Sequence, residues 1–433
     1  MKKKSRNKNT SVPKSRNSKG SKMNDINFSG QLKQCYDLFN KCYIYFFPIS
    51  NSKFDRYWKL CCLAPFVIIH NISMSVFVWK IFKEEVNISE VAFMIPVYLV
   101  SIQIILTSVI ILSKISDVED LINNLKFLSE TSNLTDQQIK KKKRLTKRLN
   151  LYVAMFYWSG TISTFLHLTG PLTLVLFRQF ILGQHCEFEL PYGGVYPYDL
   201  SDSWFKYLAT YAFQVYTMTC EVCAHIGSEI LMIVLCANIA IEFSILREDL
   251  LHASPHFKTD NPRNQIGIGL ETNSESKTTT SIQDFVRRHQ MLIRLAKQLD
   301  DIFNKIIFMN LLLVTVTVCF FGLATMVARG AAETMNNLLV MLALLLPVYE
   351  FCYYGDLLKE ESLGIADSAY INEWYKSDIY YQKMILYVIS RSQRPCCLTS
   401  LKYVPVTMNL FTKVLSTTWS YFSLVKSIYS RGE

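Results

Sequence analysis

From Asn310 to Met326 the chain reads NLLLVTVTVCFFGLATM, a stretch without a single charge. A bilayer core requires about 20 mainly apolar residues per helix. Seven stretches have that character: 58–79, 89–113, 149–177, 205–243, 301–328, 335–358 and 405–428. Lipid-facing barrels show alternation rather than solid apolar runs, so the expected fold is all-α, integral to the membrane, with seven transmembrane helices. The fourth stretch exceeds one crossing, and its excess must project into water or protein on one side. Charged residues make up only 19% of the chain against about a quarter in soluble domains. That shortfall agrees with lipid as the solvent. The first residues, MKKKSRNKNTSVPKSRNSKGSK, are basic and polar with no apolar middle. They read as a flexible cytosolic tail rather than a signal peptide or a nucleic-acid arm, and the first span then acts as its own insertion signal.

Lys and Arg resist translocation and so set orientation. The tail up to Tyr57 holds 13 of them, and the segments after the second, fourth and sixth spans hold nine, eight and six. The opposite side (80–88, 179–204, 330–334 and the last five residues) holds only Lys80, Lys83 and Arg431. The amino terminus is therefore expected in the cytosol and the carboxyl terminus outside, the reverse of a G-protein-coupled receptor. Asp55-Arg56-Tyr57 looks like the signature that ends such a receptor's third span, but here it precedes the first. The outer loops carry Glu84, Glu85, Glu187, Glu189, Asp199, Asp202 and Glu333, which fits either ordinary solvated charge or a face that concentrates cations. Asn87-Ile88-Ser89 is a glycosylation sequon on that side, with Asn87 the candidate acceptor.

Catalytic machinery is not visible. HExxH, P-loop and dinucleotide fingerprints are missing, so no catalytic residue, cofactor or metal is expected. Cys220 and Cys223 form a CxxC inside the fourth span without a second pair to complete a zinc site, and they read as packed thiols. His70 and His167 read as core histidines. Glu221, His225 and Glu229 recur at i, i+4 and i+8. Ionisable groups at membrane depth suggest function, but the favoured reading is an interhelical hydrogen-bond cluster.

The last span carries a polar stripe: Asn409, Lys413, Ser416, Ser420, Ser423 and Ser427 lie four and three residues apart alternately, on one helical face. Such a stripe faces a protein partner or water, and spacing alone leaves both open. A pore would need copies from several subunits, with Leu424 and Ile428 placed to form a hydrophobic constriction. The fourth helix is expected to continue through Leu250 and the fifth to start near Ile282, with a polar, mobile linker from His256 to Ser281 between them. The chain thus divides into a cytosolic tail (1–57), four spans with an outer pocket (58–243), a linker and helical extension (244–300), two spans (301–358), a cytosolic anchor segment (359–404) and the seventh span with a short outer tail (405–433).

The carboxyl-terminal third resembles the insect odorant receptors. The resemblance rests on Tyr349-Glu350-Phe351-Cys352-Tyr353-Tyr354-Gly355-Asp356-Leu357-Leu358, then Glu361-Ser362, Ala369-Tyr370, Trp374-Tyr375, Arg391-Ser392-Gln393-Arg394-Pro395 and Thr418-Trp419-Ser420-Tyr421-Phe422. Glu242 to Leu246, His289, and the loop runs Leu190-Pro191-Tyr192 and Tyr196-Pro197-Tyr198 add to it. Lys426 and Ser427 stand where the related gustatory receptors close their TYxxxxxQF pattern, and the loop before the fifth span is shorter than that of the shared co-receptor. The chain is therefore similar to an odorant-tuning subunit. The resemblance implies an inverted seven-helix subunit that joins the co-receptor in a heterotetramer and forms a ligand-gated, nonselective cation channel in the membrane of sensory neurons, at the dendrite or cilium. A G-protein-coupled chemoreceptor is the alternative. By the same resemblance the seventh helices surround the conduction path, with Ser420, Leu424, Ser427 and Ile428 at the pore and gate. The expected partners are the co-receptor, a small volatile ligand and membrane lipid, not nucleic acid.

The resemblance also implies a ligand site in one subunit's outer half, among the second to sixth helices. Mapping by depth selects Met94, Val97 and Tyr98 on the second helix, Trp158, Thr161 and Phe165 on the third, and Tyr207, Tyr211 and Gln214 on the fourth. Phe321 on the fifth and Met335 on the sixth complete the set, with the aromatic loop 191–198 as a lid. Apolar walls with few polar groups suit a small volatile molecule, and Met and aromatic side chains repack around varied ligands.

Overall fold

The computed structural model describes residues 18–47, 53–83, 88–131, 134–181, 183, 188–200, 203–252, 282–328 and 330–432. The tail 1–17, the sequon residue Asn87, Cys186 and the linker 256–281 lie outside these. The described helices are α1 (Ser18–Lys41), α2 (Lys53–Lys83), α3 (Ile88–Ser113), α4 (Ile115–Thr131), α5 (Asp136–Leu176), α6 (Trp204–His252), α7 (Ile282–Val327), α8 (Ala331–Ile371), α9 (Ile379–Ser392) and α10 (Met408–Gly432). A two-residue antiparallel pair, β1 (Thr399–Ser400) and β2 (Val404–Pro405), precedes α10.

The seven expected spans fall on α2, α3, α5, α6, α7, α8 and α10. Among the described residues, six helices are both long and apolar enough to cross a membrane. The last, α10, is long enough at 25 residues, but its polar stripe lowers its apolarity. The helices do not share the lipid equally. In α6, 94% of the most apolar stretch is buried within the subunit, against 11% in α5. So α6 is the axis of the subunit, with α8, α1 and α5 laid against it and α3 against α7.

We call the end that carries the 188–200 loop apical and the end that carries α4, α9 and the β1–β2 hairpin basal. Several helices overrun the bilayer basally: α6 continues to His252 and α7 begins at Ile282, the expected start. Two basal features go beyond the sequence expectations. In α4, Ile115, Val118, Leu121, Ile122, Leu125 and Leu128 form one buried face, as i, i+3, i+4 spacing dictates. In α1, Leu32, Cys35, Leu38 and Phe39 are buried, with the Cys35 thiol donating to the Gly227 carbonyl of α6 at 3.3 Å.

The basic run Lys140–Arg144 opens α5 just after its cap, where Thr135 and Gln138 form a reciprocal capping box. Lys142 pairs with buried Glu242 at 2.6 Å and Lys141 with Glu248 at 2.7 Å, both on α6. Arg288 of α7 reaches Asp249 at 2.7 Å. These cations therefore tie α5, α6 and α7 together at the base. The hairpin closes this region. Thr399 donates its N–H and its hydroxyl to Asp300 at 2.6 and 2.7 Å, and Leu401 and Lys402 take positive φ to make the turn. Gly355 lets α8 approach, since a Cβ there would lie 2.6 Å from the Val406 carbonyl oxygen.

Candidate functional site

The apical half holds a packed cluster of Met and aromatic side chains. Met74 and Ile81 of α2 cluster with Met94, and Phe77, Phe93, Val97 and Tyr98 pack around them. Val97 also joins this group to Leu168 of α5, Met218 of α6 and the loop residue Tyr192. Phe93 meets the Phe321 ring edge-on at 6.3 Å and His167 at 6.1 Å, and His167 in turn meets Tyr192 at 5.0 Å. Helical spacing explains the convergence: Met94, Val97 and Tyr98 share one face of α3, as Met74, Phe77 and Ile81 share one face of α2. The polar groups around the cluster are few. The Tyr98 hydroxyl is 2.8 Å from Ser75 Oγ, and His70 Nε2 is 3.0 Å from the Met218 sulfur.

Gln214 of α6 ties the loop to this cluster. It is fully buried, its Oε1 accepts from the Tyr192 N–H at 3.2 Å, and its Nε2 donates to the Tyr192 carbonyl and the Tyr196 hydroxyl, both at 2.9 Å. The loop is held on the α2 side as well. Ser73 Oγ donates to the Val195 carbonyl at 3.0 Å. Gly193 and Gly194 allow the close approach, because a Cβ would come within 2.5 Å of the Phe77 ring at the first and 2.6 Å of Ser73 Oγ at the second. Burial raises the phenol pKa of Tyr192 and Tyr196, so both stay neutral and able to donate.

Of the residues expected to contact ligand, Met94, Val97, Tyr98, Gln214 and Phe321 are brought together here. Tyr207 instead stacks under the loop on Phe188 at 4.6 Å, its hydroxyl donating to the Glu189 carbonyl at 2.8 Å. Thr161, Phe165 and Tyr211 line a separate groove between α5 and α6. Trp158 and Met335 are 58% and 56% exposed and join neither group; depth along a helix selected them, but their faces turn away from α3 and α6. Tyr211 has a particular part. Its hydroxyl donates to the Leu168 carbonyl at 2.5 Å and accepts from the Leu172 N–H at 3.2 Å. It thus sits inside the backbone ladder of α5 beside Pro171, where an inserted side chain and a missing N–H both bend a helix.

Of the expected set Glu221, His225 and Glu229, the two glutamates form interhelical clusters, whereas His225 Nδ1 is buried without a hydrogen-bond partner among the described residues. Glu221 accepts from Asn71 at 3.0 Å and from Ser101 at 2.6 Å. Glu229 accepts from Asn310 at 2.6 Å, and Asn310 accepts from Gln103 at 2.8 Å. These bonds join α6 to α2, α3 and α7. The thiols of the CxxC, Cys220 and Cys223, are buried, and Cys42 of the segment after α1 donates to the Cys220 carbonyl at 2.9 Å.

At the other side of the bundle, α10 packs one face on α7 and α8. Phe422 fits over Gly322, where a Cβ would lie 2.7 Å from its ring, and Phe411 meets Tyr349 at 5.6 Å. The stripe from Asn409 through Ser427 is exposed along its length in the single subunit. Ser420, Leu424 and Ser427 share that exposure, while the Ile428 side chain lies outside the described residues.

Comparison with known proteins then places the chain. The sequence model described as 7tm odorant receptor matches residues 87–419, well over half of the length. The chain belongs to the insect odorant receptor family. Among its described residues, six helices are long and apolar enough to cross a membrane. The chain is 27% identical to odorant receptor 13a of Drosophila melanogaster over 281 residues (61% of this chain and 63% of that protein). It is 23% identical to odorant receptor 85b of the same species over 245 residues (56% and 58%). The chain thus spans about three fifths of the length of these relatives. The solved structure of the olfactory receptor OR5 from Machilis hrabei superposes with a TM-score of 0.72 at 13% identity, covering 92% of this chain and 98% of that one. At that identity the likeness concerns the fold. A second structure of OR5, in complex with eugenol, superposes with a TM-score of 0.70 at 14% identity, covering 93% and 100%.

The apical cluster draws on residues outside the mapped contacts, namely Met74, Phe77 and Ser73 of the first span, Phe93 and His167, while Tyr192 and Tyr196 belong to the loop expected as a lid. The α2 residues were legible as the i, i+3, i+4 set His70, Ser73, Met74 and Phe77 on an otherwise lipid-facing helix. For His167 and Tyr192 no local pattern exists, because each is defined by its partner on a distant segment.

Proposed function

We propose that this chain is an odorant-tuning subunit of a ligand-gated, nonselective cation channel of the cell membrane, in sensory neurons and in a heterotetramer with the family's co-receptor. The observation that carries the reading is the apical cluster under the loop. It is apolar, rich in Met and aromatic rings, supplied with few hydroxyls and covered by a loop that the buried Gln214 amide, Ser73 and Tyr207 hold down. Those properties suit a small volatile molecule with at most one or two polar atoms, the class to which the eugenol bound by OR5 belongs. On this reading the base lies in the cytosol, as the Lys and Arg distribution requires, and the loop 188–200 faces outside. Ligand among these side chains shifts α7 through Phe321, and α10 follows through the seat of Phe422 on Gly322. The exposed stripe of α10 lines water between subunits, with Leu424 and Ile428 at the constriction.

The test is current from excised patches without nucleotide, in cells expressing this chain with and without the co-receptor, while a panel of volatile ligands is applied. Odorant-evoked cation current that requires both chains supports the reading; a response that vanishes on excision points to signalling through G proteins. Ser420→Cys should make that current sensitive to a thiol reagent applied from outside, whereas Val414→Cys, on the packed face of α10, should not.

A further inference from the structure

A groove of about 520 Å³ runs along the flank of the subunit between α5 and α6, from Leu172 and Leu208 near the apex down to Leu38 and Lys41 at its foot. On α6 it extends from Leu208 to Ile226, which at 1.5 Å per residue is about 27 Å, close to the roughly 30 Å of a hydrocarbon core. It opens sideways: Phe165 and Leu208 on its rim are exposed, on a helix pair whose outer partner, α5, buries little of its apolar stretch.

The chemistry of its walls narrows the occupant. Four threonines line it, yet each hydroxyl is engaged by its own helix: Thr161 with the Tyr157 carbonyl at 2.8 Å, Thr164 with Gly160 at 2.7 Å, Thr169 with Phe165 at 2.8 Å and Thr219 with Val215 at 2.6 Å. The Tyr211 hydroxyl is engaged in the α5 ladder. What these residues present to the groove is methyl and ring surface. Lys41 is the one charged residue among the described residues that line it, and it is exposed at the foot. A wholly apolar occupant would leave that ammonium without a counter-charge, and a soluble anion would leave the walls unmatched. An amphiphile with one anionic head and a long chain satisfies both.

We propose that the groove holds an acyl chain of an anionic glycerophospholipid, with the headgroup phosphate on the Lys41 ammonium. The inference rests on the membrane-spanning fold and not on the odorant reading. It has a consequence for the apical cluster, because Leu168 and Val215 line the groove and also pack with Tyr192 and Met218. A chain seated in the groove braces the wall that the cluster shares.

The experiment uses the full-length protein in nanodiscs that carry a photoactivatable phosphatidylserine or phosphatidylcholine, diazirine on the acyl chain. Labelled peptides are identified by mass spectrometry. The phosphatidylserine probe should label the groove faces of α5 and α6 about fivefold more than the phosphatidylcholine probe, the ratio that roughly 1 kcal/mol per juxtamembrane cation provides. Lys41→Met and Lys41→Glu should each remove that preference. Thr164→Trp, which fills the groove, should remove groove labelling while labelling of the exposed α2 face around Phe66 and Ile69 stays as it was and reports an intact fold. Equal labelling by the two probes, a preference that survives both Lys41 variants, or stronger labelling by a diazirine fatty acid would overturn the proposal. No odorant is applied, so the outcome is independent of whether the chain responds to one.

Discussion

Replacing Gln214 by Leu isolates the contact that holds Tyr192 over the apical cluster. Leucine is close in volume, so the packing beneath the loop is kept, but three hydrogen bonds of 2.9–3.2 Å are lost. Two of them satisfy the backbone N–H and carbonyl of Tyr192, a residue only 8% exposed. Leaving a buried polar group unpaired costs about 1–3 kcal/mol, so keeping the loop docked would cost on the order of 2–6 kcal/mol in the variant. The segment around Tyr192, still tethered by Ser73 at Val195 and by Tyr207 at Glu189, can lift locally to hydrate those groups instead, and the variant takes that cheaper route. Even the lower figure raises the open population about 30-fold. The expected result is faster ligand loss, with a dose–response curve moved to at least tenfold higher concentration and quicker current decay on washout, at unchanged surface expression. Hydrogen exchange around Tyr192 in the purified variant should rise in parallel. Unchanged exchange, or an unchanged curve together with unchanged decay, would refute the assignment of Gln214 as the clamp on Tyr192 and return it to the simple contact role that the sequence suggested.

Three further outcomes follow from particular contacts. Tyr211→Phe should be mild, costing about 1 kcal/mol, because the Leu168 carbonyl and Leu172 N–H can pair with each other once the hydroxyl is gone; Tyr211→Ala should cost about 3–5 kcal/mol through the lost ring, and thermal unfolding of the two variants in detergent separates the readings. Gly322→Ala drives a Cβ to 2.7 Å from the Phe422 ring, so we expect about 1–3 kcal/mol of overpacking and a smaller maximal current with ligand affinity preserved; equal loss of affinity would place the damage in the apical cluster instead. His289, buried between the Phe243 and Phe285 rings with Ser392 Oγ 3.4 Å away, has its pKa pushed down to about 4 by burial, helped by the Arg391 charge. An unfolded histidine titrates near 6.5, so the stability contributed by the neutral ring is complete above that value and is lost as pH falls from 6.5 toward 4. At pH 5 the loss is about 2 kcal/mol; melting at pH 7.5 and 5.0 should show it, and His289→Gln should abolish that part of the difference.

The membrane-spanning segments were legible because lipid as solvent imposes a length and an apolarity that a local window can read. The starts of α7 at Ile282 and the overrun of α6 were legible for a related reason, since Phe285, Leu292, Leu295 and Leu299 keep helical spacing past the bilayer. The α4 face had the same periodicity, but the basic run that follows it on α5 drew the reading toward charge. Lys141 and Lys142 show what that reading missed, because each also has a carboxylate partner on α6 about a hundred residues away.

What the amino-acid order determined by itself is therefore the set of membrane-spanning helices, their polar and apolar faces, and the family-bearing motifs of the carboxyl-terminal third. All of these are written within a few turns of chain. Tertiary structure alone decided which faces meet. It turned Trp158 and Met335 away from the apical cluster, drew Met74 and Phe77 of the first span into it, and gave Gln214 the Tyr192 backbone and Tyr211 the α5 ladder as hydrogen-bond partners. The physical reason is that a buried amide or hydroxyl is defined by where its partner lies. The partners here (a Tyr192 backbone in a loop, the Leu168–Leu172 ladder beside a proline) sit on other segments whose approach no local pattern encodes.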